Sequence, residues 1–332
     1  MTEILVFFLG VGLYLYVLLG GADFGAGIVE LFTGKRGAKT ISKAIAPIWE
    51  TNHVWIILVV VILFNGFPRV YTSISTYLHI PLLLALIGII IRGSSFTFRY
   101  YDIPDKKVNE YYTKFFRISS MLTPFFFGIV MGAVILGRIP AAPEGSFYDV
   151  YVRPWFNLFP VITGMFVTVL FAWLASVFLI GEVSKKDQST RDYAQISNFL
   201  LVILICLGLL VFIIAEIDSV HLLKQFSKSY ISIGSLIVAS VLVPLIWKNV
   251  KKHNIIIIRI LAGAIALCIL LGWFGIQLPV LVYISGGDDL TVWNSIAPEP
   301  TIRYLVYALI GGILIIFPSI AYLYKVFKFK KT

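Results

Sequence analysis

The strongest constraint on this chain is the recurrence of long apolar runs separated by short polar linkers. Nine runs can be delimited: Ile4–Phe32, Ile45–Gly66, Tyr77–Phe98, Arg117–Gly137, Trp155–Ile180, Ser197–Ile217, Tyr230–Lys248, Ile255–Ile276 and Arg303–Phe327. Each reaches or nears the ~20 residues that a helix needs to cross a bilayer. Lipid offers the backbone no hydrogen bonds, so spanning segments must be helices or a closed barrel. No alternating segments of about ten residues suggest a barrel. The expected fold is therefore an all-α integral membrane protein with about nine transmembrane helices, one polytopic domain over residues 1–332. The linker Pro140–Pro154 divides it into a first bundle of about 1–139 and a remainder of about 155–328. Of the 332 residues, 59% are hydrophobic and 13% charged, which excludes a soluble domain.

Charge placement gives an orientation. The net charge of +10 is no nucleic-acid footprint, because the basic residues cluster between the apolar runs. The odd linkers hold Lys35, Arg36, Lys39 and Lys43; Arg99, Lys106, Lys107 and Lys114; Lys185, Lys186 and Arg191; Lys248, Lys251, Lys252 and Arg259. The tail adds Lys325, Lys328, Lys330 and Lys331. The even linkers are poor: Arg69; Arg138 and Arg153; Lys224 and Lys228; Arg303. The positive-inside rule then puts the N-terminus outside and the C-terminus in the cytoplasm. No positive segment precedes the first run, so it reads as a retained span and not as a signal peptide.

Few residues in the runs can carry chemistry. Asp23 lies in GGADFGAGIVELF and Glu50 in IAPIWETNHVWII. An ionisable group at membrane depth costs roughly 2.5–3.5 kcal/mol on insertion scales, so it is a functional candidate by default. At about 1.5 Å per residue, Asp23 falls near the inner face, where the second span begins with Glu50. The two carboxylates can form a proton entry path. They can equally be structural, Glu50 as a helix-dipole partner and Asp23 as an interhelical hydrogen-bond acceptor. Gly20, Gly21, Gly25 and Gly27 around Asp23 read first as close-packing positions. His53 is one turn after Glu50 and expected to share its face, as a proton-tuning partner and not a metal ligand. Asn52 and Trp49 flank it. Arg92, inside the third span, either snorkels or serves as buried counter-charge to a carboxylate such as Glu50. Arg99 reads as interfacial and Glu216 and Asp218 as solvated. Tyr71, Tyr77, Trp155, Trp247 and Trp293 fit an aromatic belt at the span ends. Cys206 and Cys268 read as packing residues, and the four scattered His offer no metal or haem motif.

At these residues the sequence resembles subunit II of the cytochrome bd-type quinol oxidases. The matching stretches are GADFGAG (Gly21–Gly27), IAPIWETNHVWII (Ile45–Ile57), IIRGSSFTFR (Ile90–Arg99) and TVWNSIAP (Thr291–Pro298). The first two, at this spacing, are the specific ones; the later spans match only in hydropathy. The resemblance implies two four-helix bundles plus a peripheral helix, with no haem or other cofactor bound directly. It implies a heterodimer with a haem-bearing subunit I that carries haems b and d, oxidises quinol and reduces O₂ to water. It leaves open a structural quinone, or a lipid, in this chain and a small accessory subunit. It also implies that Glu50 lies on a cytoplasmic proton path, with Asp23 as second acid. Asn52, His53 and Trp49 are then supporting residues and Arg92 a counter-charge. Many members carry an acid where this chain has Thr97, which alters any path at that point. The setting is a prokaryotic plasma membrane and aerobic respiration. The alternative is a proton-coupled secondary transporter, which calls for midplane polar residues in broken helices of both halves. The second half lacks such a cluster.

Overall fold

The computed structural model describes residues 1–46, 49–101, 106–183 and 188–327. Pro47 and Ile48 of the second motif, and Lys185, Lys186, Lys328, Lys330 and Lys331, lie outside them. So do the side chains of Lys35, Arg36, Lys39, Lys106, Lys107 and Arg191.

Among the described residues nine helices are long and apolar enough to span a membrane. They are α1 Thr2–Gly34, α2 Trp49–Gly66, α3 His79–Arg99, α4 Glu110–Leu136 and α5 Leu158–Ile180. Then follow α6 Asp192–Ile217, α7 Tyr230–Lys252, α8 Ile255–Gln277 and α9 Glu299–Tyr322. All nine expected spans are present. α4 begins a full turn or more before the expected Arg117, because polar residues at its start extend the helix beyond the apolar run. The first linker is also helical: after a break at Gly34, where φ is +59°, the helix resumes to Ile45. A positive φ of that size favours glycine, which explains why the chain can bend there.

α5 is the most buried of the nine spans. It packs against α1, α4 and α6, while α3 pairs with α4 and α7 with α8. α9 rests on α1 and α2 and leaves most of its surface uncovered. In lipid no hydrophobic force selects helix neighbours, so small residues that allow close backbone approach do much of that work. A Cβ on Gly25 would run into the backbone carbonyl of Phe171 on α5, and one on Gly27 into the Ser120 hydroxyl on α4. The glycine cluster is thus a packing surface that seats α1 on α4 and α5.

Both ends of α5 are held by charges from other spans. Asp218, just beyond α6, accepts from the Phe159 N–H at 2.9 Å. Arg259 of α8 donates to the Phe178 carbonyl at 2.9 Å and pairs with Glu182 at 3.1 Å. An anion at the N-terminus and a cation at the C-terminus both complement the helix dipole. Asp218 is therefore not a solvated residue, and it also meets Arg138. Glu216 stays exposed, as expected, while it accepts from the Leu223 N–H and contacts His221. Tyr77 and Trp155 are buried and do not join an aromatic belt. Cys206 is exposed on α6 and so is not a packing residue.

The connection between α8 and α9 ties several linkers together. Ile284–Ser285 pairs in parallel with Ile139–Pro140, and Tyr283 N–H donates to the Val134 carbonyl at 3.1 Å. Within TVWNSIAP, the Ala297 N–H reaches the Gly66 carbonyl at 2.9 Å and the Asn294 carbonyl accepts from Arg69 at 3.1 Å. The fourth motif is thus a splint across the end of α2.

Candidate functional site: a buried charge ladder between three spans

α1 brings Asp23 into the protein interior just after a local change of helix type. Residues Tyr16–Gly20 form one turn of π-helix, after which Gly21 resumes the α-helix. Such wide turns frequently mark functional positions. Asp23 is 4% exposed and Arg92 of α3 is 1% exposed. Arg92 Nη2 stands 2.8 Å from Asp23 Oδ1 and donates to the Asp23 backbone carbonyl at 3.1 Å. Arg92 is therefore a buried counter-charge, but to Asp23 and not to Glu50. Arg92 is thus the one side chain that reaches the Asp23 carboxylate among the described contacts, and its Nη2 is shared with the Asp23 carbonyl. The buried Tyr16 hydroxyl and the Trp55 Nε1–H have no hydrogen-bond partner among the described residues. A native interior satisfies nearly all such groups, so each exception calls for a chemical reason.

Seven residues further along each helix the pattern repeats. Arg99 Nη1 donates to both oxygens of Glu30, at 2.8 and 2.9 Å, and its Nη2 to the Ser42 hydroxyl at 3.0 Å. Arg117 of α4 adds a third bond to Glu30, from Nε at 3.1 Å. Glu30 is fully buried. Arg99 is thus an interior residue and not an interfacial one, because a carboxylate waits for it on α1. The Phe116 ring lies between the two levels, 5.4 Å from the Arg92 guanidinium and 4.3 Å from that of Arg99. Both guanidinium groups gain from the ring face. Asp23 to Arg92 and Glu30 to Arg99 have the same sequence offset, so α1 and α3 run parallel with one register. Glu30 was not singled out by the sequence reading. The readable signal was two acids seven apart on the first span facing two arginines seven apart on the third, about two helical turns in each.

The second motif divides between interior and surface. Asn52 is buried, whereas Glu50 is exposed. The helix breaks at His53, which separates Trp49–Asn52 from Val54–Gly66. His53 therefore turns inward instead of sharing a face with Glu50. Its ring lies 5.7 Å from the Phe24 ring and 6.4 Å from the Tyr16 ring. Arg92 covers the Phe24 ring at 4.6 Å. Trp49 packs on Phe96 at 5.6 Å. So the structure gathers Asp23, Arg92 and, across Phe24, His53, and leaves Glu50 at the margin. On α2, Glu50 continues the exposed stripe of Ile57, Val61 and Phe64. The four histidines do not meet, and no group of three His, Cys, Asp or Glu side chains stands within reach of one ion among the described residues. The donor set here does not fit an axial haem pair.

Comparison with known proteins bears directly on this arrangement. The family described as cytochrome bd terminal oxidase subunit II matches residues 1–327. The cytochrome bd-I ubiquinol oxidase subunit 2 of Escherichia coli (strain K12) is 24% identical over 304 residues, covering 90% of this chain and 76% of that one. The cytochrome bd ubiquinol oxidase subunit 2 of Bacillus subtilis (strain 168) is 28% identical over 170 residues, 50% of this chain. That match spans about half, 48%, of the Bacillus protein. Among solved structures, a chain of the bd oxidase from Geobacillus thermodenitrificans superposes with a TM-score of 0.76 at 18% identity, covering 99% of this chain and 100% of that one, and shares its fold. The chain belongs to the cytochrome bd terminal oxidase subunit II family.

Proposed function

We propose that this chain is the non-haem subunit of a bd-type quinol oxidase, that it supports a haem-bearing subunit I, and that it supplies protons from the cytoplasmic face through Glu50 toward Asp23. Family membership carries the first part and replaces the transporter reading. The observation that carries the proton role is Asp23: a buried carboxylate held by a single guanidinium, that of Arg92, at 2.8 Å. A carboxylate with one charged partner keeps lone pairs with which to take and release a proton, whereas Glu30, which accepts three bonds from two arginines, is committed to structure. Glu50 supports the reading from the other side. It is an exposed acid at the end of an apolar stripe on α2, and an acid on a lipid-facing stripe is costly, so that stripe fits a partner subunit better than lipid. A proton collected at Glu50 would pass by way of His53 to the Asp23 pocket. The charge asymmetry of the linkers supports an N-terminus outside and basic linkers inside, in a bacterial plasma membrane. Quinol protons then leave outside while substrate protons enter from the cytoplasm, and each charge crossing 100 mV is worth about 2.3 kcal/mol.

Glu50→Gln tests this in the assembled complex. It preserves shape and most hydrogen bonding but cannot release a proton. Quinol-dependent O₂ consumption per haem d is expected to fall, with Glu50→Asp retaining a substantial part. Full haem content with normal turnover and normal proton uptake in proteoliposomes would leave a scaffold role only.

A further inference from the structure

The lower level of the charge ladder has a surplus. Two arginines share one carboxylate, so Glu30, Arg99 and Arg117 together hold one unbalanced positive charge. Arg99 spends both Nη groups inside the protein, on Glu30 and Ser42. Arg117 binds Glu30 with Nε alone, and its Nη1 and Nη2 take no partner among the described residues. Its side chain is 21% exposed, so that edge of the guanidinium is turned to the outside of the bundle. Lys114, one turn earlier on α4, is exposed. Positions three apart on a helix are neighbours, so the two cations stand together. Glu110, another turn back, has a contact of its own.

What surrounds this pair is apolar. Tyr111, Phe115 and Ile118 are 63%, 50% and 60% exposed on the same part of α4. Phe98 of α3, 50% exposed, stacks on Tyr112 at 5.2 Å and closes the gap between the two helices. A cationic pair at the basic end of a span, directly above an apolar helix surface, has the chemistry of a phospholipid: phosphate at the cations, acyl chain along the rings. A free anion would use the cations and gain nothing from the apolar surface.

We infer that Arg117 and Lys114 form a binding site for the phosphate of an anionic phospholipid in the leaflet at the basic end of the bundle. The anion neutralises the surplus left by the Glu30 triad, and guanidinium and phosphate match as a two-pronged contact. The site lies on α4, away from the Glu50 stripe on α2, and does not depend on the proton role of that residue.

The test is native mass spectrometry of the delipidated, detergent-solubilised oxidase complex titrated with phosphatidylglycerol or phosphatidylcholine. The wild-type complex is expected to retain one phosphatidylglycerol more tightly than any phosphatidylcholine. Each basic residue near an anionic surface contributes ~1 kcal/mol, equivalent to about five-fold in affinity. Lys114→Gln, which touches no buried group, should therefore weaken that site about five-fold, and Lys114→Gln with Arg117→Gln about 25-fold. Millimolar inorganic phosphate should not displace the lipid. Equal retention of the two lipids, an unchanged affinity in Lys114→Gln, or displacement by inorganic phosphate would each overturn the inference.

Discussion

Replacing Glu30 by Gln offers the sharpest test of the ladder. The carboxylate accepts three charge-assisted bonds, two from Arg99 and one from Arg117. Gln keeps one acceptor oxygen, but its NH₂ group would point at a guanidinium that has nothing to accept with. Arg117, 21% exposed, can rehydrate, so its share of the loss is small. Arg99, 7% exposed, cannot, and it remains a buried cation without a counter-charge. Removing one partner of such a pair costs about 3–5 kcal/mol. Because one of the two arginines is relieved by solvent, the lower end, ~3 kcal/mol, is the expectation. The argument also fixes the rescue. Arg99→Gln on the Glu30→Gln background removes the stranded charge, so the double variant should be more stable than Glu30→Gln alone. A coupling of this kind between contacting residues falls in the range of about 0.5–3 kcal/mol. Denaturant unfolding of the solubilised complex measures both quantities, and Glu30→Asp serves as the charge-preserving control. A single variant within ~0.5 kcal/mol of wild type, the range of ordinary surface substitutions, would refute the reasoning. So would a double variant that loses the sum of the two single losses.

Gly25→Ala should destabilise by the upper part of ~1–3 kcal/mol, since the new methyl meets the Phe171 backbone, while Gly234→Ala, which meets nothing, should be silent in the same unfolding assay. The orientation predicts that a cysteine at Asp288, exposed in the α8–α9 connection, reacts with a membrane-impermeant maleimide in intact cells, and that one at Lys252 reacts only after lysis. The reverse pattern would invert the topology and with it the side from which Glu50 is proposed to draw protons.

The spans were legible because hydropathy is a local property: each run declares itself without reference to any other. Pairings were not, because they depend on which helices touch. Asp23 and Arg92 were both recognised as costly groups that need partners, yet the sequence offered Glu50 as readily as Asp23. What decides between them is the parallel contact of α1 with α3, together with the break at His53 that leaves Glu50 on the surface. Arg99 and Asp218 were misplaced for a related reason. A charge near a span end looks solvated until a second helix end or a buried carboxylate is known to lie beside it.

The same fact explains why so few charges organise so much of the fold. Lipid tails are as apolar as the side chains they meet, so apolar contact alone lets one helix slide on another at little cost. A charge does not. Asp23 with Arg92 and Glu30 with Arg99 share one register, and a slip of one turn, about 5.4 Å, would break both at once and strand four charges in the interior. Arg117 ties α4 to the same level, and Asp218 and Arg259 fix α5 from its two ends. Gly25 and Gly27 then set how closely α1 approaches α5 and α4. Together these contacts specify depth and separation for the helices around Asp23. That is the condition under which the Asp23 carboxylate is held at a fixed place relative to the α2 surface, the face proposed above for a partner subunit.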